Sequence, residues 1–227
     1  MAAPLRLVVF DVDGTLVDSQ ADIVGAMTQA FELMDMSAPD RGAILNTVGL
    51  SLPDTMHQLI PQAGAAVQEQ LVAAYKQAYS ERRQFVGSKT SSPMYVGARA
   101  ALERLWAVDD ILLGVATGKS RRGLNILMDG HDLHSFFVTT QVSDTHPSKP
   151  HPSMVLTALS EVGVEACNAV VVGDTSYDMA MARAAGVDGI GVTWGYHPAD
   201  ALGDAAACVE TFDALLQVLS DRWEIAI

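Results

Sequence analysis

The sequence predicts an α/β fold, a doubly wound parallel sheet interrupted near its start by an α-helical insert. Three observations carry this. After residue 93, apolar runs of strand length alternate with segments of helical period, the pattern of a parallel sheet wrapped by helices. The first run, residues 5–10, barely alternates in polarity, as a strand buried on both faces does. Between residues 19 and 84 no strand pattern occurs at all. The chain has 227 residues, 49% of them hydrophobic, enough for a sizeable core in one large domain or a domain with an insert.

Taken in order, residues 5–10 form the first predicted strand. From Ser19 the spacing of Ile23, Met27, Phe31 and Met34 predicts a helix, with Asp18 or Ser19 available as its N-cap. Residues 40–48, 52–60 and 65–84 also read as helices, punctuated by Pro39, Gly49, Pro53, Pro61 and Gly64. Met27, Met34, Met36 and Met56 read as core filler. The loop 87–93 closes the block. Helices follow over 97–107, 121–129, 153–162, 177–185 and 211–223. Strands fall at 111–116, 136–140, 169–172 and 189–193, with a weak one at 206–209.

The formal net charge of −13 excludes a chain that neutralises nucleic-acid phosphates, and disfavours an anionic membrane surface. A small phosphate remains possible if local cations, a metal and one or two lysines, overcome the global field. The two cysteines, Cys167 and Cys208, have no metal-ligand spacing and form no disulfide framework. No apolar segment is long enough to span a bilayer, and the N-terminus lacks a signal-peptide layout. A cytoplasmic protein is the expectation.

The chemistry concentrates where strands end. Residues 5–10 run into Asp11-Val12-Asp13-Gly14-Thr15, and strand alternation starts Asp11 and Asp13 on the same side. Two like charges at a buried strand end are costly unless a cation or a proton resolves them. Strand 169–172 ends in Gly173-Asp174, with Asp178 one helical turn on. With Asp11 these make an oxygen-rich site for a hard cation, most simply Mg²⁺. The alternative makes Asp174 an N-cap and Asp178 a solvated helix residue. Strand 111–116 ends in Thr117-Gly118, a hydroxyl and backbone N–H groups before a helix, which suits an anion. Lys149 sits in a loop stiffened by Pro150 and Pro152 and would offset the carboxylate charge. All these strand ends share one rim of the sheet, where ligands of open α/β sheets bind.

In this order the four segments resemble the haloacid dehalogenase superfamily of phosphohydrolases, and within it the phosphoglycolate phosphatase-like branch. That branch also includes other small-metabolite phosphatases and β-phosphoglucomutases. The resemblance covers essentially the whole chain. It implies a Rossmann-like core of residues 1–18 and 91–227 and a helical cap of residues 19–90. It implies that Asp11 attacks phosphorus, and that Asp13 protonates the leaving oxygen and then activates water. Gly14, Thr117, Gly118 and Lys149 would hold the phosphoryl group. Asp174 would bind Mg²⁺ with Asp11 and the backbone carbonyl of Asp13, and Asp178 would join them directly or through water. Partners would be a small phosphorylated metabolite, neither nucleic acid nor membrane, with the chain a monomer or a homodimer.

Two segments depart from the pattern. Gly118-Lys119-Ser120 stands where close relatives more often carry Asn-Lys-Pro, and His146-Pro147-Ser148 lacks an arginine that many relatives have before the lysine. Residues 48–51 are either the cap segment that reaches the site or an ordinary turn between helices. His57 and Lys76 read as surface, and Arg121 and Arg122 as a solvated first helical turn. The leading function is a Mg²⁺-dependent phosphatase. A phosphomutase and a non-catalytic phosphate- or partner-binding module are the alternatives, and a dehalogenase is disfavoured because Asp13 and Asp174 equip the site for phosphoryl transfer.

Overall fold

The computed structural model describes residues 4–86 and 88–227. Six strands form one sheet: β1 (Arg6–Phe10), β2 (Ile111–Thr117), β3 (Phe137–Val142), β4 (Ala169–Gly173), β5 (Asp188–Val192) and β6 (Ala207–Val209). Their spatial order is β3-β2-β1-β4-β5-β6, and every neighbouring pair is parallel. Valine is the commonest residue of the central strands, where a β-branched side chain fits a pleated, doubly covered surface. The strand predicted at 136–140 starts and ends later, because Gln141 and Val142 still pair with Ala116 and Thr117. The weak strand near 206–209 exists and pairs with β5.

Helices α1 (Gln20–Leu33), α2 (Arg41–Leu45), α3 (Leu52–Leu59), α4 (Ala65–Val86) and α5 (Ser88–Ser91) separate β1 from the rest of the sheet. They close over a hydrophobic cluster of their own, with Ile23, Met27, Phe31, Ile44, Met56 and Leu71 buried in it. Met34 and Met36 pack against its edge. The two chain segments that lead in and out run side by side: the Asp18 N–H donates to Pro93 O at 2.8 Å and the Tyr95 N–H to Leu16 O at 3.0 Å. Two expectations change here. The helix expected over 40–48 stops at Leu45, and the chain turns through Gly49 at φ +100°, a backbone that favours glycine. Of the loop expected over 87–93, Gly87 lies outside the described residues and Ser88–Ser91 form a short helix.

The remaining helices are α6 (Ala98–Trp106), α7 (Arg121–His131), α8 (Ser153–Val162), α9 (Ser176–Ala184) and α10 (Phe212–Trp223). Alternate residues of β1 explain why they lie on both faces. Val8 and Phe10 enter one core with Leu102, Leu124 and Leu215 from α6, α7 and α10. Leu7 and Val9 enter the other with Met154, Ala158 and Met181 from α8 and α9. Oxygen caps set several helix starts, Ser120 accepting from the Gly123 N–H and Thr211 from the Ala214 N–H. Arg121 is not a solvated side chain: its guanidinium donates to Thr140 Oγ1 at 2.5 Å and Thr140 O at 2.6 Å, fastening α7 to β3. Arg122 beside it is exposed. His57 is exposed, as are Cys167 and Cys208. Among the described residues, no helix is long and apolar enough to cross a membrane.

Candidate active site

Four parallel strands, β2, β1, β4 and β5, deliver their C-terminal ends to one rim, which is where an open α/β sheet leaves a crevice. Asp11 follows β1 directly, and its N–H still donates to Val172 O at 2.9 Å, so the sheet ladder fixes its backbone. Its side chain is buried. Asp174 follows β4 and is buried, and Asp178, on the first turn of α9, is buried as well. One carboxylate oxygen from each of the three lies within 4.8 Å of the others.

Lys149 is the counter-charge. Its ammonium lies 2.7 Å from Asp11 Oδ1 and 2.6 Å from Asp178 Oδ1, with the side chain fully buried. Burial alone would push its pKa down, but the two carboxylates outweigh burial and hold the amine above its ordinary range. Asp178 Oδ2 is taken by the Thr175 N–H at 3.0 Å and the Thr175 hydroxyl at 2.6 Å, in a reciprocal capping box. The N-cap is therefore Thr175, not Asp174, and Asp178 is not solvated. Asp174 accepts the Thr15 hydroxyl at 2.9 Å on Oδ1 and the Tyr196 N–H at 2.8 Å on Oδ2. A Cβ on Gly14 would come within 2.1 Å of Asp174 Oδ2, so the glycine of the first motif, at φ +86°, makes room for that carboxylate.

One atom is left over. Asp11 Oδ2 is buried and has no hydrogen-bond partner. Desolvation pushes the Asp11 carboxyl up to about 7, with Lys149 opposing it and Asp178 and Asp13 adding to it. Desolvation and the nearby Asp11 and Asp178 also raise Asp174. Three carboxylates thus face one ammonium around an unsatisfied oxygen. Hard, oxygen-only ligands of this kind suit Mg²⁺. Asp11, Asp174 and Asp178 fit such an ion.

Asp13 belongs to a different side of the site. Its carboxylate stands outside the three-acid cluster: Ser19 donates to its Oδ1, and the Lys119 ammonium lies 2.8 Å from the same oxygen. Ser19 begins α1 without capping it, because its hydroxyl is spent on Asp13. Lys119 in turn donates to the Tyr79 hydroxyl of α4 at 3.0 Å and lies 5.2 Å from the Tyr79 ring centroid. Thr117 ends β2 buried, its hydroxyl accepting from the Lys119 N–H at 3.2 Å. A Cβ on Gly118 would meet Gly49 O and Leu50 O at 2.7 Å. The turn after α2 therefore reaches the rim and is more than a connection between helices. Asp11, Asp13, Thr117, Gly118, Gly49 and Leu50 all line a cavity of about 580 Å³ between sheet and helical block.

Sequence reasoning missed the segment after β5. The Trp194 indole donates to Thr15 O at 3.0 Å, the Tyr196 hydroxyl accepts from the Ser19 N–H at 2.9 Å, and His197 meets Asn46 O at 3.2 Å. Burial lowers the His197 pKa, with the Asn46 carbonyl and Asp178 opposing it. The strand-end rule already pointed there, since β5 ends at the same rim with Trp194-Gly195-Tyr196-His197 just beyond it. Lys119 was legible too, as part of the segment that departs from the family pattern.

Comparison with known proteins agrees with this geometry. The family model described as haloacid dehalogenase-like hydrolase matches residues 8–192. The chain is 36% identical over 214 residues to the protein named "Probable phosphatase IndB" of Dickeya dadantii, covering 92% of this chain and 91% of that one. It is 30% identical over 201 residues to the phosphoglycolate phosphatase of Pseudomonas putida, covering 85% and 71%. Among solved structures, a hydrolase from Pseudomonas syringae superposes with a TM-score of 0.83 at 25% identity, covering 95% and 98% of the two chains.

Proposed function

We propose that this chain, which belongs to the haloacid dehalogenase-like hydrolase family and is a phosphatase, is Mg²⁺-dependent and hydrolyses a small phosphorylated metabolite through an aspartyl-phosphate on Asp11. The observation that carries the reading is Asp11 itself: Oδ1 is fixed by Lys149, while Oδ2 is buried and unpartnered at the floor of the cavity. A carboxylate so held is aimed at an incoming phosphorus atom.

Asp11, Asp174 and Asp178 would hold the ion, with the backbone carbonyl of Asp13. When bound, Mg²⁺ neutralises charge on the phosphoryl oxygens. The residues do the rest. Lys149 keeps Asp11 oriented and offsets negative charge. Thr117 and the N–H groups near Gly14 and Gly118 receive the phosphoryl oxygens. As the bond from Asp11 oxygen to phosphorus forms, the bond from phosphorus to the leaving alcohol breaks. Asp13, braced by Ser19 and Lys119, gives that alcohol its proton. Asp13 then takes a proton from water as the water oxygen bonds to phosphorus and the bond from phosphorus to the Asp11 oxygen breaks, freeing the Asp11 carboxylate and inorganic phosphate.

The helical block of residues 19–90 would act as a cap over residues 1–18 and 91–227, excluding bulk water during the first step. A cytoplasmic setting fits two exposed, unbridged cysteines. The test is phosphate release from 2-phosphoglycolate, sugar phosphates and nucleoside monophosphates, with and without Mg²⁺, beside Asp11→Asn. Release that needs Mg²⁺ and vanishes in the variant supports the reading. Release that persists in Asp11→Asn overturns it.

A further inference from the structure

The cavity does not resemble a slot for a two-carbon acid. Its sheet side holds Asp11 and Asp13, but its helical side is built from Ile23, Met27, Val48, Leu52 and Tyr75. Ile23, Met27, Val48 and Tyr75 are buried in the hydrophobic cluster of the helical block and turn apolar or ring surface toward the cavity. Tyr75 and Tyr79 stack with ring centroids 5.7 Å apart, giving that wall a flat aromatic element. Uncharged polar groups on this side include the hydroxyls of Thr47, Thr55 and Ser80.

Among the described residues, the cations in the lining stand away from these five side chains. The Lys119 ammonium is already 2.8 Å from Asp13 and 3.0 Å from the Tyr79 hydroxyl. Lys76 and Arg122 line the cavity from exposed positions, at its mouth. A carboxylate pressed against Ile23, Met27, Val48, Leu52 and Tyr75 would lose water and meet no cation among those five side chains. A neutral ring would lose little water and bury apolar area. The volume, about 580 Å³, also falls in the range of pockets that enclose ligands well above the size of 2-phosphoglycolate.

We infer that the substrate is a phosphate monoester whose alcohol carries a neutral ring, seated against the apolar wall of Ile23, Met27, Leu52 and Tyr75, and that 2-phosphoglycolate is a poor substrate. The inference rests on the phosphatase reading above. Leu52 is the residue that sets the preference at the wall: it opens α3, is half-buried, and faces the cavity.

A matched pair tests this. Benzyl phosphate and 2-phosphoglycolate are both esters of a primary alcohol, and differ in carrying a phenyl ring or a carboxylate. Acetyl phosphate, small and activated, reports whether the phosphoryl chemistry works at all. Steady-state phosphate release with Mg²⁺ is expected to give benzyl phosphate a kcat/KM about tenfold or more above 2-phosphoglycolate, most of it in KM. In Leu52→Arg, which places a cation at the wall, the ratio is expected to fall by about tenfold, with turnover of 2-phosphoglycolate rising. A merely structural role for Leu52 would lower both substrates together. Equal or reversed preference in the wild-type chain, with acetyl phosphate hydrolysed, overturns the inference and leaves the phosphatase reading standing. Failure on both esters and on acetyl phosphate overturns both.

Discussion

On the sheet side of the cavity, Asp11, Asp174, Asp178 and Lys149 are buried and charged; on the helical side, Ile23, Met27, Val48 and Tyr75 are buried and neutral. The two walls answer to different physics. Buried charges act together: Asp11 and Asp178 share the Lys149 ammonium, so removing the ammonium strands both, whereas neutralising one carboxylate relieves the excess. Buried apolar groups tolerate exchange, since volume and hydrophobicity matter more than identity. The floor therefore fixes a reaction, and the roof can change what is reacted without disturbing it. Substitutions on the floor should alter turnover by orders of magnitude. Substitutions on the roof should alter substrate preference by about tenfold.

The sharpest break is Asp11→Asn. It keeps the shape and removes the proposed nucleophile, so phosphate release should fall about a thousandfold or more. Yet the metal-free protein should become more stable, because a desolvated carboxyl is replaced by a neutral amide. A less stable variant in thermal melts would overturn the account of the floor. The pH dependence has a definite sign. The Asp11 carboxyl is raised from 3.8 to about 7 in the fold, so between these values the folded chain holds more protons than the unfolded one. Metal-free stability should fall as pH rises through that window, and Asp11→Asn should flatten the slope. A slope of opposite sign in urea titrations from pH 4 to 7 would refute it.

Lys149→Met is expected to act in the opposite direction on stability. Asp11 and Asp178 lose the cation they share, and the cost is about 3–5 kcal/mol in urea unfolding at neutral pH. Mg²⁺ should oppose it. At a concentration one hundred times its Kd, an ion bound only by the folded chain adds about 2.7 kcal/mol. For a domain of this size that raises the melting temperature by roughly 5–10 °C. The shift should reverse with EDTA and be missing in Asp174→Asn. It should survive in Leu52→Arg, and loss there as well would mean that floor and roof are not separate.

Much of the floor was legible from sequence because strand ends are legible. Asp11, Thr117 and Asp174 each close an apolar run, and a parallel sheet brings such ends together whatever lies between them. The role of Lys149 was readable once the carboxylates needed a counter-charge. What could not be read was atomic: that Asp178 is capped by Thr175, that Ser19 serves Asp13 instead of α1, and that Arg121 fastens α7 to β3. Each is a polar side chain with several possible partners, and only the folded neighbourhood decides among them. The roof was less legible. Its residues follow the ordinary spacing of a helical core, and nothing in periodicity distinguishes Met27, which faces the cavity, from Phe31, which does not.

Floor and roof touch at Gly118. A Cβ there would meet Gly49 O and Leu50 O at 2.7 Å, and backbone carbonyls cannot swing aside as a long side chain can. Gly118→Ala should push the turn after α2 away from the rim. The carboxylates and Lys149 would stay in place, so the Mg²⁺-induced rise in melting temperature should be unchanged. The cavity would lose its tight seam, so kcat/KM should drop about tenfold for large and small esters alike. Gly64, where a Cβ would meet nothing within 4 Å, supplies the control: Gly64→Ala should leave turnover as it is. If Gly118→Ala instead abolished the metal effect, the turn from the helical block would be supporting the charged floor directly. The division of labour between the two walls would then have to be redrawn at that contact.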